Sequence, residues 1–425
     1  MRLETTFSID TSSIKYGPGV TKEIGFEMNR LGAKRIMVLT DKRLSKSESV
    51  QTVIDSLSAE GLDAQLYDQV RVEPTDVSFK DAIEFATTGR FDGYVAFGGG
   101  STIDTAKAAA LYDTYPNDFL TYVNAPIGQA KPVPGPLKPL IAIPTTSGTG
   151  SETTGVAIFD LLEMHAKTGI AHRALRPTMG LVDPENTRTL PKMVTACSGL
   201  DVLCHGLESY TALPFLFREA PENPGLRPAY QGSNPISDVW ALRAIEMVSD
   251  NIVQAVHDQE DEEAKSQMLL AASFAGVGFG NAGVHLPHGM SYPVSGMVRN
   301  YQPDDYPTDH PIVPHGMSVA LNAPAVFRFT GPANPERHLN AARLMGADTS
   351  TASPEDAGDL LADTIIKLLK KIDMPNGLRG IGYSPKDVGN LVAGTLPQHR
   401  VTKLAPIPIG EPELHHLFLE SMTLW

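Results

Sequence analysis

Cysteine is nearly absent from this chain: two residues, Cys197 and Cys204, in 425. Two thiols in one short segment build no disulfide framework, and such sparse use fits a reducing compartment. Positive charge is also scarce, with 35 Lys and Arg against 49 Asp and Glu and a formal net charge of −14. That balance argues against an electrostatic grip on nucleic acid or an anionic membrane surface. No apolar run approaches the roughly 20 residues that a membrane-spanning helix needs. The start, "MRLETTFSID", has neither the basic-then-apolar order of a secretory signal nor the Arg-rich, acid-poor character of a transit peptide. The expected location is therefore cytoplasmic, or the mitochondrial matrix if a transit peptide has been removed. What is present suffices for two or three ordinary soluble domains with a sizeable core.

Up to about residue 185, short apolar runs alternate with amphipathic stretches. "AKRIMVLTD" (33–41), "AQLYDQV" (64–70), "GYVAFGGG" (93–100) and "PLIAIPTT" (139–146) read as strands. "VTKEIGFEMNRLG", "SESVQTVIDSLSAEG" and "SFKDAIEFATTG" between them carry apolar residues at helical spacing. Such alternation predicts a parallel sheet covered by helices. Beyond "GLVDPENTRTLP" the period changes to 3.6, as in "DVWALRAIEMVSDNIVQAVHD" and "DAGDLLADTIIKLLKKID", without a convincing strand. The expectation is an α/β nucleotide-binding domain over residues 1–188 and an all-helical metal-binding and substrate domain over 189–425. Two proline-rich stretches, 213–235 and 301–314, read as loops.

"FGGGSTIDTAKAAALY" follows a predicted strand and opens a predicted helix. Gly98, Gly99 and Gly100 allow a sharp turn and close approach of a ligand. Ser101 or Thr102 can cap the helix, whose free N–H groups and positive end favour a phosphate. The spacing is neither the G-x-G-x-x-G fingerprint nor a Walker A loop. "IPTTSGTGSETT" (143–154) is a second strand end rich in small hydroxyl donors. Asp41 stands at the end of an earlier strand, where ligands bind in open α/β sheets. A carboxylate there can accept both ribose hydroxyls of an adenosine and repel a 2′-phosphate, or else cap a helix. Together these features point to a dinucleotide, NAD rather than NADP.

In "GLDVLCHGLESY" (199–210), Asp201 and His205 are four apart and face one way along a helix, with Glu208 three residues further on. "PHGMS" occurs twice, at His288 and His315. Two such histidines and an Asp-x-x-x-His pair supply three nitrogens and one oxygen, suited to Fe(II) or Zn(II) with positions left for substrate. "GVHLPHGMSYP" adds His285 and Tyr292, which read as core residues, ligands or a proton relay.

The set "GGGSTIDTAK", "IPTTSGTGSE", "LVDPENTRTLP", "GLDVLCHGLESY", "HGMSYPVSG" and "PHGMSVAL" resembles the iron-containing (group III) alcohol dehydrogenase family, in order over nearly the whole chain. "RPAYQGSNPISD", "DHPIVPHGMSVALNAPAVFRFT", "PERHLNAARLMGAD" and "GTLPQHRVTKLAP" resemble its hydroxyacid–oxoacid transhydrogenase branch. The resemblance implies a dehydroquinate synthase-like architecture with the active site between the two domains, and at least a homodimer. It implies Asp201, His205, His288 and His315 as metal ligands, and Gly99, Gly100, Ser101 and Asp104 as the pyrophosphate loop. Asp41 falls on the ribose-binding acid, Thr145, Thr146 and Thr149 on the second cofactor loop, and Lys167 on a lysine near the cofactor. Many members read His-x-x-x-His where this chain reads "HGMSY", so Tyr292 replaces a histidine and the proton-relay role is open here.

The implied reaction is hydride transfer between an alcohol or hydroxyacid carbon and nicotinamide, with the substrate oxygen on the metal. His285, Tyr292 or a ribose hydroxyl could relay the proton, and Glu208 could hold His205 from behind. The branch implies substrates of the 4-hydroxybutyrate and 2-oxoglutarate type, exchanged as hydroxyacid or alcohol for oxoacid or aldehyde. Their carboxylates need a cation, for which Arg400, Lys403 and Arg299 are candidates. The rival readings are a plain NAD(P)-dependent alcohol dehydrogenase or aldehyde reductase and, more distantly, a dehydroquinate synthase-like lyase. His257, His338, His399, His415 and His416 sit among polar residues and read as solvated. His165 and His172 flank Lys167 and could border the cofactor, and Cys197 and Cys204 read as buried thiols.

Overall fold

The computed structural model describes residues 2–164, 166–306, 308 and 310–425. The chain divides into two compact units, Asp10–Thr189 and Leu190–Trp425, the second joined by the N-terminal segment up to Ile9.

In the first unit the strands are β1 (Ser13–Tyr16), β2 (Arg35–Asp41), β3 (Asp63–Val70), β4 (Gly93–Gly98), β5 (Leu140–Pro144), β6 (Val156–Leu161), β7 (Ala166–Ala171) and β8 (Met179–Val182). Six of them form one parallel sheet in the order β1-β8-β5-β4-β2-β3, while β6 and β7 pair as an antiparallel hairpin. The helices are α1 (Ile24–Arg30), α2 (Glu48–Ala59), α3 (Asp76–Gly89) and α4 (Gly100–Thr114). Strand alternation sorts the apolar side chains onto two faces. Ile36, Val38, Val95, Phe97, Ile141 and Ile143 pack with Ile24, Met28, Val53 and Leu57 on one face. Met37, Leu39, Tyr94, Ala96 and Ala142 pack with Ala82, Ala86, Ala106 and Ala110 on the other. Both faces are covered, so the central strands are apolar throughout, as a parallel sheet requires. From β2 the chain adds β3 on one side; β4, β5, β8 and β1 lie on the other. The strand order therefore reverses between β2 and β4, the place where open α/β sheets bind ligands at the strands' carboxyl ends.

The second unit is helical: α5 (Lys192–Thr211), α6 (Pro235–His257), α7 (Glu262–Ala282), α8 (Leu286–Gly296), α9 (His315–Ala320), α10 (Ala323–Thr330), α11 (Pro335–Leu344), α12 (Ala357–Lys371), α13 (Val388–Thr395), α14 (His399–Thr402) and α15 (Glu411–Glu420). Its described residues contain no strand, only isolated bridges. The proline-rich stretch 213–235 carries only short 3-10 turns, at Phe215–Phe217 and Pro224–Leu226, ahead of the start of α6. No single described helix is long and apolar enough to cross a membrane. Central α5 is buried from Thr195 onward except at Ser198 and packs against α6, α7 and α9.

Two expectations are corrected here. Residues up to Ile9 pack with the helical unit rather than with the sheet: Glu4 pairs with Arg227 at 2.9 Å and Ser8 N–H donates to Gln231 at 3.0 Å. His338 is fully buried, not solvated, because it lies on the inward face of α11 with Ala341 and Ala342. Its Nε2 meets the Thr330 hydroxyl at 3.0 Å and its Nδ1 the Asn334 carbonyl at 2.9 Å. His257, His399, His415 and His416 are exposed, and both cysteines are free and buried.

Candidate metal centre and nucleotide site

The four expected ligands converge on one oxygen. Asp201 Oδ1 lies 3.4 Å from His288 Nε2 and 3.7 Å from both His205 Nε2 and His315 Nε2. Donors about 2.1 Å from one ion, in tetrahedral directions, stand about 3.4 Å apart. Asp201, His288 and His315 can each offer a ligand atom with all three atoms within 4.8 Å of one another. Asp201 Oδ1 and His288 Nε2 are buried without a hydrogen-bond partner, a costly state for polar atoms unless a cation serves them. His205 joins from a stacked position, its ring 3.8 Å from Phe279 and 4.7 Å from His288. Burial pushes the Asp201 carboxyl up, but His205, His315 and His288 outweigh it and hold the group below the usual carboxylate range. Burial also pushes His205 down to about 3, which keeps its imidazole neutral and able to ligate. This donor set of imidazoles and one carboxylate fits a divalent transition metal.

The helices reach this point because a glycine follows each histidine of the repeated motif. A Cβ on Gly316 would collide with the Cys197 carbonyl oxygen and lie 2.9 Å from Asp201 Cβ. Gly316 thus lets α9 lie directly on α5. A Cβ on Gly289 would stand 3.1 Å from a Thr402 methyl and 3.3 Å from a Val401 methyl, so α8 meets α14 there.

Glu208 holds His288, and the expectation that it holds His205 is corrected. His288 Nδ1 meets Glu208 Oε1 at 2.6 Å, and the backbone N–H groups of His285 and His288 donate to Oε2 at 2.7 and 3.4 Å. A carboxylate on Nδ1–H leaves the Nε2 lone pair turned to the metal. Burial opposes charge on His288, but Glu208 and Asp201 raise it to about 10, so metal loading must displace a proton. Glu208→Gln keeps one acceptor and loses the other, and is expected to weaken metal affinity about 10–100-fold. Competition against a chelator measures that loss.

Of the readings open for His285, the structure's burial favours the core one. Its ring is fully buried, Nε2 meets the Thr211 hydroxyl at 3.0 Å, and Phe327 packs edge-on at 5.9 Å. Burial pushes it down to about 4. The unfolded chain therefore binds a proton that the folded one excludes. Stability is fully present above about pH 6.5 and falls progressively toward pH 4, by up to about 3 kcal/mol. His285→Gln is expected to flatten that acid slope in urea titrations of metal-free protein, while the pH–rate profile keeps its shape.

Tyr292 lies one helical turn beyond His288, 5% exposed, and its hydroxyl accepts from Arg400 at 2.8 Å. Of the other candidate cations, Arg299 is taken by Asp387 and Lys403 is exposed.

In the α/β unit, Asp41 ends β2 and the glycine turn ends β4, on the two sides of the strand-order reversal. The two expected cofactor loops touch. A Cβ on Gly99 would be 3.1 Å from Thr146 Cγ2, and one on Gly100 would be 2.5 Å from Thr149 Cγ2. Thr145 N–H donates to the Gly98 carbonyl at 3.1 Å. The α4 cap is Gly99, without a side-chain bond, so Ser101 and Thr102 do not cap as expected. Thr102 is buried, and Ser101 Oγ instead accepts from the Glu73 N–H at 3.2 Å. Thr102 and Ile103 N–H donate to the Gly99 carbonyl, so a bare glycine cap leaves the Gly100 and Ser101 N–H groups to a ligand.

Three expected cofactor residues near that turn have partners inside the protein. Asp104 is turned inward, accepting from Ser151 Oγ at 2.6 Å and Ile158 N–H at 2.9 Å. Lys167 is buried between Glu73 at 2.5 Å and Asp160 at 3.2 Å, which hold its ammonium beside the second loop's hairpin. One Asp41 oxygen caps the following turn, accepting from Arg43 and Leu44 N–H at 2.8 and 3.1 Å. His172 Nδ1 accepts from Ala174 N–H, and His165 lies outside the described residues. Lys107, unremarked among the alanines of α4, is fully buried and ties the second loop down through Ser151, Thr154 and the Val156 carbonyl.

Comparison with known proteins matches both units. Residues 11–184 match the description "Iron-containing alcohol dehydrogenase" and residues 229–422 match "Fe-containing alcohol dehydrogenase family, C-terminal". The hydroxyacid-oxoacid transhydrogenase, mitochondrial, of Bos taurus is 59% identical over 421 residues, covering 99% of this chain and 90% of that protein. A solved 1,3-propanediol oxidoreductase aligns with a TM-score of 0.85 at 26% identity, over 98% of this chain and 100% of its own. A sulfoacetaldehyde reductase from Bifidobacterium kashiwanohense, solved in complex with NAD+, gives 0.80 at 25% over 99% of each chain. The buried N₃O cluster, the glycine turn at the strand reversal and these matches agree: the chain is an oxidoreductase of the iron-containing alcohol dehydrogenase family, on the branch of the hydroxyacid–oxoacid transhydrogenases.

Proposed function

We propose that the protein is a hydroxyacid–oxoacid transhydrogenase that retains its nicotinamide between two half-reactions. A hydroxyacid such as 4-hydroxybutyrate loses a hydride and a proton and leaves as the semialdehyde. An oxoacid such as 2-oxoglutarate takes up the same hydride and a proton and leaves as the hydroxyacid. The observation that carries the reading is the buried cluster of Asp201, His205, His288 and His315 with its unserved donor atoms, in a chain 59% identical to a protein of that name. When bound, the metal supplies Lewis acidity at the substrate oxygen and the nicotinamide supplies the hydride acceptor.

The chain's own residues do the positioning. Glu208 fixes the His288 ring, and Phe279 covers one face of His205 against water. The α4 N-terminus with Thr146 and Thr149 offers donors to a pyrophosphate, and Asp41 offers its second oxygen to a ribose. Fe(II) is favoured by the family description over Zn(II), and NAD over NADP by the Asp41 charge. The matrix reading is preferred to the cytoplasmic one because the bovine relative is named mitochondrial. A homodimer or larger assembly is supported by large apolar side chains exposed on the single chain, Val239 at 65% and Phe217 at 64%, and sedimentation tests it.

The deciding experiment uses protein purified anaerobically, with metal analysis, assayed on a hydroxyacid–oxoacid pair without added NAD. Sustained turnover supports the proposal. Strict dependence on added NAD leaves a plain alcohol dehydrogenase.

A further inference from the structure

Arg400 carries a guanidinium that pairs with phenols, Tyr292 and Tyr230, and with no carboxylate among the described residues. Its Nη2 donates to the Tyr292 hydroxyl at 2.8 Å, and its centre lies 4.9 Å from the Tyr230 ring. Its Nη1 is buried and has no hydrogen-bond partner among the described residues. The titratable groups that face it are two phenols, Tyr292 and Tyr230, not carboxylates. Two other sheltered arginines of this unit are matched, Arg227 by Glu4 and Arg337 by Asp238 in a two-pronged pair. Burying a cation without an anion costs stability, so such a group is retained where an anion arrives from outside.

We propose that Arg400, steadied by Tyr292, anchors the carboxylate of the hydroxyacid and oxoacid substrates. This rests on the transhydrogenase reading and names how that class of substrate is selected. Tyr292 is four residues past His288 on α8, on the same side and about 6 Å along the axis. An anion bound at Arg400 therefore lies a short carbon chain away from the metal-ligand cluster. The contact of Val401 and Thr402 with Gly289 fixes α14, and so the Arg400 backbone, beside His288. Tyr292 stands where many family members have a second histidine, and the substitution suits this role. A phenol oxygen accepts from a guanidinium, whereas a protonated imidazole would repel it. The free Nη1 and the fork geometry suit a planar carboxylate.

The test compares kcat/KM for 4-hydroxybutyrate with that for its neutral amide, in wild type, Arg400→Met, Arg400→Lys and Tyr292→Phe. The ratio does not depend on the fraction of active protein. Wild type is expected to favour the acid. Arg400→Met should reduce the ratio by about 10²-fold, chiefly through KM, and Arg400→Lys by about tenfold. Tyr292→Phe should lower it severalfold. If Arg400→Met does not fold, the Arg400→Lys ratio decides. Variants that keep the wild-type preference for the acid overturn the Arg400 assignment while leaving the transhydrogenase reading intact. Wild type with no turnover of the hydroxyacid–oxoacid pair overturns that reading, and the Arg400 assignment with it.

Discussion

Replacing His288 with Ala is expected to strip the metal and reduce hydroxyacid turnover by about 10³-fold or more. His288 contributes one of three imidazole nitrogens grouped around Asp201 Oδ1, and it is the one oriented by Glu208. Its loss leaves both carboxylates buried with one fewer neutralising partner, which raises the cost of keeping Asp201 ionised. Polarisation of the substrate oxygen is worth several kcal/mol of barrier, and each 1.36 kcal/mol is a factor of ten in rate. Elemental analysis and turnover must fall together. A His288→Ala protein that retains metal and turns over at the wild-type rate would refute the ligand assignment. His285→Gln, made in parallel, is expected to retain its metal.

Gly316→Ala should be nearly as damaging, although it adds a single methyl group and removes no ligand. The added carbon meets the Cys197 carbonyl, a backbone atom of buried α5 that cannot swing aside. Either α9 lifts and carries His315 away from Asp201, or α5 distorts at the turn that presents Asp201. Overpacking of this kind costs about 1–3 kcal/mol of stability. Displacement of His315 is expected to lower metal affinity at least about tenfold. Gly289→Ala is the control, because its added carbon meets only methyl tips of Thr402 and Val401 that can yield. Thermal melts with and without metal separate the two variants, and equal behaviour would mean that the close approach of α9 to α5 is not what sets the site.

The convergence of the candidate ligands was legible in the sequence because helical spacing carries its geometry. Asp201 and His205 share a face through their four-residue separation, and His288 and His315 announce themselves through a repeated five-residue motif. The partner of Glu208 was not legible, since it depends on how α8 crosses α5, eighty residues apart in the chain. The internal partners of Asp104 and Lys167 were hidden for the same reason: Ile158 and Glu73 lie 54 and 94 residues away. The central strands were legible as unbroken apolar runs. Strands β1 and β8 are four residues each, too short to show a period, and β6 and β7 carry the polar pair Asp160 and Lys167. His338 shows the limit of local composition, since polar neighbours on α11 mask a buried face.

The segment up to Ile9 waits for its partners. Leu3, Glu4, Phe7 and Ser8 find their partners at Glu219, Arg227, Phe215 and Gln231, more than 200 residues later in the chain. At ribosomal rates of about 5–20 residues per second, those partners emerge roughly 10–40 s after the segment itself. During that interval the whole α/β unit can form, while the strap that belongs to the other unit waits without its mates. The helical unit is thus built from two separate stretches of the chain, with the whole α/β unit inserted between them in sequence.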